Sequence, residues 1–203
     1  EAALAIDRDG PGAGSTGAYG QEVWTERGRA TALSQPSLIV DPPDGRLPPL
    51  TDVETRRVSA HRAAGRRPVR SRATGVGTDS HDDRGLAERC LVGFSTGPPM
   101  LPAGYNNNVQ IFQAPGYVVL AVEMIHDVRI IRLDGRAHLP AGVRQWLGDS
   151  WGRWEDGTLV VDTTNFTDKI GSFSTTGVSW GTGEQLHLVE RFTRTDDGTL
   201  RYE

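Results

Sequence analysis

The chain has 203 residues, 36% of them apolar, with 22 Lys and Arg against 26 Asp and Glu for a net charge of −4. That length suits one domain or a domain with an arm, and the acidic balance carries no footprint of a nucleic-acid binder. No apolar run reaches the ~18 residues a membrane helix needs, so no membrane span is expected.

The first half reads as an arm. Residues 1–20 are rich in Gly and Ala and form a flexible lead-in. Residues 21–29 hold Trp24 in a short piece that could be ordered, and residues 37–40 make a brief strand candidate. The run Asp41-Pro42-Pro43-Asp44-Gly45-Arg46-Leu47-Pro48-Pro49-Leu50 excludes regular structure, because proline lacks the amide and fixes φ. It is expected to lie extended across a body, anchored by Ile39, Leu47 and Leu50. Thr51 can cap a helix, with Glu54 three residues on as in a capping box. That helix is expected to span roughly 51–64 and to end near Ala64-Gly65.

Arg66, Arg67, Arg70 and Arg72, followed by Asp79, His81, Asp82 and Asp83, read as a solvated loop with compensating charges. An anion patch is the alternative, and adjacent His and Asp on a loop are a weak metal signal. The lone cysteine, Cys90, reads as a buried small hydrophobe; half of a disulfide with a partner outside the chain is the alternative. Gly97-Pro98-Pro99-Met100-Leu101-Pro102 is a rigid connector.

From residue 104 the pattern changes to repeated strands, expected at 109–113, 117–125, 128–133, 150–155, 158–166, 186–193 and 199–203. Pro115-Gly116 separates the first two as a turn. Asp134-Gly135, Asp156-Gly157 and Asp197-Gly198 punctuate later ones, because Asp-Gly supplies the positive φ of a tight hairpin. Residues 144–147 read as a short helix or irregular chain. The fold class is therefore mainly β: an antiparallel meander barrel (calycin-like) or a sandwich, with an extended N-terminal Pro/Gly-rich arm over residues 1–103 and one short helix. The chain stops inside what reads as a strand, so the β domain at 104–203 is expected to be truncated at its C-terminus.

Alternation places three carboxylates in unusual positions. Glu190 shares a face with Leu186, Leu188 and Phe192, and Glu123 shares one with Tyr117, Val119, Ala121 and Ile125. Asp162 lies between Val160 and Thr164. A buried carboxylate needs a partner or shifts its pKa. Arg129, Arg144, Arg191 and the ring of His126 are the candidates, Arg191 the least suited because it neighbours Glu190 and points away. Two such acids could perform acid/base work in a pocket; salt bridges tying the strands together are the structural alternative. His126, beside Asp127 at a strand end, could move protons near neutral pH. Asn106, Asn107 and Asn108 offer donors and acceptors suited to sugar hydroxyls, or a turn. Trp146, Trp151, Trp154 and Trp180 offer ring platforms or core packing. No nucleophile elbow, phosphate loop, dinucleotide fingerprint or His-based metal motif is present, so neither metal nor cofactor is expected.

Several of these segments carry a resemblance. Pro98-Pro99-Met100-Leu101-Pro102 with Tyr105-Asn106-Asn107-Asn108-Val109-Gln110-Ile111, Glu123-Met124-Ile125-His126-Asp127-Val128-Arg129, Trp154-Glu155 running on to Thr158-Leu159-Val160-Val161-Asp162-Thr163-Thr164-Asn165-Phe166, and Leu186-His187-Leu188-Val189-Glu190-Arg191-Phe192 resemble an uncharacterised family of secreted proteins from soil bacteria. The likeness covers about residues 19–203 and implies export, to the periplasm or outside the cell. It also implies further strand and a Cys-His-Glu segment beyond the equivalent of Glu203. It carries no assigned activity.

The resulting expectation is an exported, metal-free acid/base enzyme, a hydrolase or lyase, acting on a small polar or saccharide-like ligand. Glu123, His126 and Glu190 are the candidate acid/base groups, and Asn107, Arg129, Trp151 and Asp162 would orient the ligand. The alternatives are a non-catalytic small-molecule or carbohydrate-binding protein, and an assembly subunit whose N-terminal arm docks on a second copy.

Overall fold

The computed structural model describes residues 38–63, 86, 89–93, 96–101, 106–169 and 183–203. The Arg66–Arg72 cluster, the acidic run with His81, Trp24 and Trp180 lie outside them. The protein is mainly β: among the described residues seven strands form one curled sheet, a half-barrel, with one short helix and one 3-10 turn. Helix α1 spans Asp52–Ala63, and the Thr51 hydroxyl accepts from the Glu54 amide at 3.3 Å, as its N-cap signal predicts. The strands are β1 Val109–Ala114, β2 Tyr117–Val122, β3 Val128–Arg132, β4 Asp149–Glu155, β5 Thr158–Thr164, β6 Leu188–Arg194 and β7 Leu200–Tyr202. Spatial order follows chain order.

Hairpin chemistry explains most of this. Asp156 (φ 45°) and Gly157 (φ 82°) both take the left-handed values of a tight two-residue turn and set Glu155 opposite Thr158. Pro115 and Gly116, of which only the glycine is left-handed at φ 80°, make the two-residue turn between β1 and β2 and set Ala114 opposite Tyr117. Asp197-Gly198 makes no such turn: Gly198 is not left-handed, Arg194 pairs with Leu200, and the Asp196 carboxylate accepts from the Gly198 amide across a wider loop.

Three other expectations are corrected. The strand from 117 ends at Val122, where Met124–His126 forms the 3-10 turn. Residues 144–147 take the irregular alternative, with Gln145 in an isolated parallel bridge to Phe166. The meander is not wholly antiparallel, since β3 and β4 meet in parallel through one registered pair, Arg132 with Trp151. The long connection over 133–148 permits this, because it returns the chain to the starting end before β4 begins. Cys90 is exposed and unbridged rather than buried.

The concave face holds the core. Val118, Leu120, Ile131, Leu159, Val161 and Phe192 pack together, with Met100, Leu133 and Tyr202 against them. These are alternate residues on β2, β3, β5 and β6, as a curled sheet with one buried face demands. Gly152 in β4 belongs to the same layer: a Cβ there would meet Ile131 Cγ2 at 2.9 Å, so only glycine lets β4 approach this closely. A second cluster of Leu86 and Val92 with Leu91, Leu101, Trp146, Leu147 and Leu186 closes one end. The connector reaches the first cluster through Met100, whose amide donates to the Tyr202 hydroxyl at 2.9 Å. Of the arm's expected anchors, Ile39 and Leu47 are half-buried and Leu50 is exposed.

Candidate functional site

The predicted acid/base residues do not converge. Glu123 follows the end of β2, is exposed, and its Oε2 accepts from the backbone and side-chain amides of Asn108 at 3.3 and 2.8 Å. Its expected place among apolar neighbours is overturned by register: Val118, Leu120 and Val122 are the inward residues of β2, and Tyr117, Val119 and Ala121 face out. His126 is exposed on the 3-10 turn at φ 59°, beside Ile125 at φ 53°. Asn107 is half-buried ahead of β1.

Glu190 does point inward with Leu188 and Phe192, and it is buried to 1% exposure. Arg129 is its partner: Nη1 and Nη2 donate to Oε1 and Oε2 at 3.1 and 2.5 Å. The Tyr202 hydroxyl also donates to Oε1 at 2.9 Å. Burial, then the Glu190 charge, push the Tyr202 phenol well above its ordinary value, so it remains a donor. A carboxylate bound by a bidentate guanidinium and a phenol, at 1% exposure, is held away from any ligand in solvent. This is the salt-bridge reading of Glu190, not the catalytic one.

A different constellation forms on the convex face. Register from the Asp156-Gly157 turn sets Trp151 opposite Asp162 and Asp149 opposite Thr164, and the next strand sets Asp162 opposite Val189. Asp162 therefore faces outward and not into the core, correcting the sequence expectation. Its Oδ1 lies 2.9 Å from His138 Nε2, and its Oδ2 lies 2.9 Å from His187 Nε2. His138 Nδ1 in turn lies 3.0 Å from Asp149 Oδ2, which also accepts from the Leu139 amide at 2.9 Å and from Arg132 at 3.3 Å.

Local structure holds these groups in place. Gly148, at φ 71°, turns the chain into β4; a Cβ there would meet the Thr164 carbonyl at 2.6 Å. Asn165, just past β5, spreads its side-chain amide over the carbonyls of Leu139, Pro140 and Val143 at 2.9–3.1 Å. That clasp fixes the connection carrying His138. Trp151 meets the His138 ring edge-on at 6.1 Å, and its indole face carries the Arg153 guanidinium at 5.5 Å.

Both nitrogens of His138 face carboxylate oxygens, Nδ1 that of Asp149 and Nε2 that of Asp162, so the ring bridges the two acids. Burial pushes the Asp162 carboxyl up, but the bonds from His187 and His138 outweigh it and hold the group below the usual carboxylate range. His187 is the accessible member at 58% exposure, with one ring nitrogen on Asp162 and Nδ1 making no bond to a described residue. No group of three His, Cys, Asp or Glu among the described residues has metal-ligand geometry.

His138, His187 and Asp149 were missed by sequence reasoning. The hairpin register alone places Asp149 and Trp151 diagonal to and opposite Asp162, so that half was available. His138 comes from the irregular connection and His187 from beyond 169, where no local pattern sets register. Comparison with known protein families, curated proteins and solved structures found no match.

Proposed function

We propose that the chain is an acid/base enzyme, a hydrolase or lyase, acting on a small polar ligand at the convex His–Asp site, with His187 as the general base. The observation that carries this reading is the Asp162 carboxylate bound to His187 Nε2 while the opposite ring nitrogen bonds no described residue. A carboxylate that fixes the tautomer and orientation of an exposed imidazole is the arrangement that makes histidine an efficient proton acceptor. Behind it, His138 is held between Asp149 and Asp162 and its bond helps keep the Asp162 carboxyl below the usual range. Trp151 and Arg153 supply a flat apolar surface and a cation at the edge, where a ligand would be oriented. The export implied by the family resemblance belongs to the same reading.

The test is turnover of a panel of chromogenic esters and glycosides by the wild type, His187→Ala and Asp162→Asn. The expected result is loss of about 10²–10⁴-fold in kcat/KM for His187→Ala, with a smaller loss and a shifted pH profile for Asp162→Asn. Turnover unchanged by His187→Ala sinks the proposal.

A second reading rests on the concave face. An open groove of about 300 Å³ is lined by Ile111, Leu120, Trp154, Leu159, Phe192 and Leu200, with Gln113 and Arg194 among its polar atoms. Trp154 is 51% exposed there. Such a lining suits a small apolar molecule better than a saccharide, as in a binding protein without turnover. Quenching of Trp fluorescence by an apolar probe, abolished in Trp154→Ala and absent with sugars, would favour it.

A further inference from the structure

The two outer strands of the half-barrel are very different edges. β7 has three residues, Leu200–Tyr202, includes Arg201, and is followed by Glu203, which pairs with it at 2.6 Å. Charge blunts an edge against further pairing. β1 has six residues, Val-Gln-Ile-Phe-Gln-Ala, with no charge and no proline, and every one of them is exposed. Ile111 and Phe112 are 41% and 46% exposed. Among the described residues, no strand pairs with the outer side of β1.

The register says which backbone groups face that open side. Ala114 and Tyr117 flank a two-residue turn and so form a hydrogen-bonded pair, as do the pairs at every second position. The bond from the Glu123 amide to the Asn108 carbonyl continues that parity. Asn108, Gln110, Phe112 and Ala114 thus bond toward β2. Val109, Ile111 and Gln113 direct their N–H and C=O groups outward.

We infer that β1 is a self-pairing edge, and that two copies of this chain join β1 to β1 antiparallel about a two-fold axis at Ile111. In that register Ile111 meets Ile111 of the second copy as a hydrogen-bonded pair, and Val109 meets Gln113 of the second copy. Every outward N–H and C=O of both strands finds a partner, because the outward set is symmetric about Ile111. No like charges are brought together, since the strand carries none. On the convex side Phe112 packs over the aliphatic stem of Gln110 of the second copy. On the concave side Ile111 and Gln113 line the open groove, so the added strand walls its open flank. The contact is isologous and closes on itself, which caps the assembly at a dimer.

Sedimentation velocity of the full chain, from micromolar concentration upward, is the first measurement, and a concentration-dependent dimer is expected. Ile111→Lys sets two like charges opposite one another at the axis and should raise the dimer dissociation constant roughly tenfold or more. Gln113→Pro removes an outward N–H without touching the β1–β2 bonds and should also weaken the dimer. Far-UV circular dichroism checks that both variants retain the sheet. Ile130→Lys, on the exposed convex face of β3, and deletion of residues 1–50 should leave the dimer intact. A wild type that stays monomeric overturns the inference. So does a dimer that survives Ile111→Lys and Gln113→Pro but is lost in Ile130→Lys or without the arm.

Discussion

Arg129 and Glu190 lie 61 residues apart in the chain and meet in the interior, where the two guanidinium nitrogens bond the two carboxylate oxygens. Both side chains are nearly inaccessible, at 5% and 1% exposure. Removing one member of such a pair leaves a buried charge without compensation. Glu190→Gln is therefore expected to destabilise the fold by about 3–5 kcal/mol. The double change Arg129→Met with Glu190→Leu should recover most of that loss, because it removes both desolvation costs together. Urea denaturation of the wild type and these two variants checks this, and equal losses in the single and double variants would refute it.

Asp162 gives a pH signature of the opposite face. Its carboxyl is depressed in the folded protein despite the upward push of burial, through the bonds from His187 and His138. A depressed carboxylate stabilises the fold above its unfolded value, about 3.9, and that contribution is lost as pH falls through the lower folded value. Asp162→Asn should cost about 1 kcal/mol at neutral pH and almost nothing in strong acid. Stability curves of wild type and variant that stay parallel down to acid pH would contradict this.

Asp127 behaves in the reverse sense. Burial raises its carboxyl above the ordinary range, the Val128 amide offsetting this in part, and Oδ2 is buried with no hydrogen-bond partner among the described residues. The folded state then binds the proton more readily than the unfolded chain. Stability from this group is full below the unfolded value and falls as pH rises through the raised one. Asp127→Asn keeps an oxygen for the Val128 amide and removes the charge. It should stabilise the protein by about 1 kcal/mol at neutral pH, with the gain disappearing in acid. Melting temperatures at both pH values are the measurement.

Two glycines separate backbone strain from crowding. A Cβ at Gly157 would touch nothing, so Gly157→Ala meets only the left-handed cost of the hairpin, about 1–2 kcal/mol. Gly148 adds a collision with the Thr164 carbonyl at 2.6 Å. Gly148→Ala should cost clearly more than Gly157→Ala and should disturb Asp149, the next residue. Thermal denaturation ranks the two, and ring-nitrogen NMR of His138 reports the displacement.

The strands were legible because hairpin turns announce themselves: Pro115-Gly116 and Asp156-Gly157 fix both position and register of their neighbours. The inward placement of Glu190 followed from simple alternation with Leu188 and Phe192. Alternation failed at Glu123 because it fixes two faces without saying which is inside. The apolar residues of β2 occupy both faces, and Tyr117, Val119 and Ala121 turned out to be the outer set. The His–Asp site was hidden for another reason. Its histidines come from an irregular connection and a strand entrance, where position is set by distant bonds such as the Asn165 clasp.

The lone parallel contact between β3 and β4 has a kinetic consequence. It divides the sheet into two meanders, β1–β3 and β4–β7, each built from strands adjacent in sequence. The β1–β2, β2–β3, β4–β5 and β6–β7 pairings close small loops and form early, whereas β3–β4 and β5–β6 pair across the longer connections 133–148 and 165–187 and wait for chain entropy to be overcome. Of these two late joints, β3–β4 is the weaker, being held by a single registered pair. The joining of the two meanders is sealed by Arg129 reaching Glu190 and Arg132 reaching Asp149. In native-state hydrogen exchange, amides along β4 and β5 should be the slowest to exchange, and the seam at Arg132 and Trp151 should open before either meander unfolds.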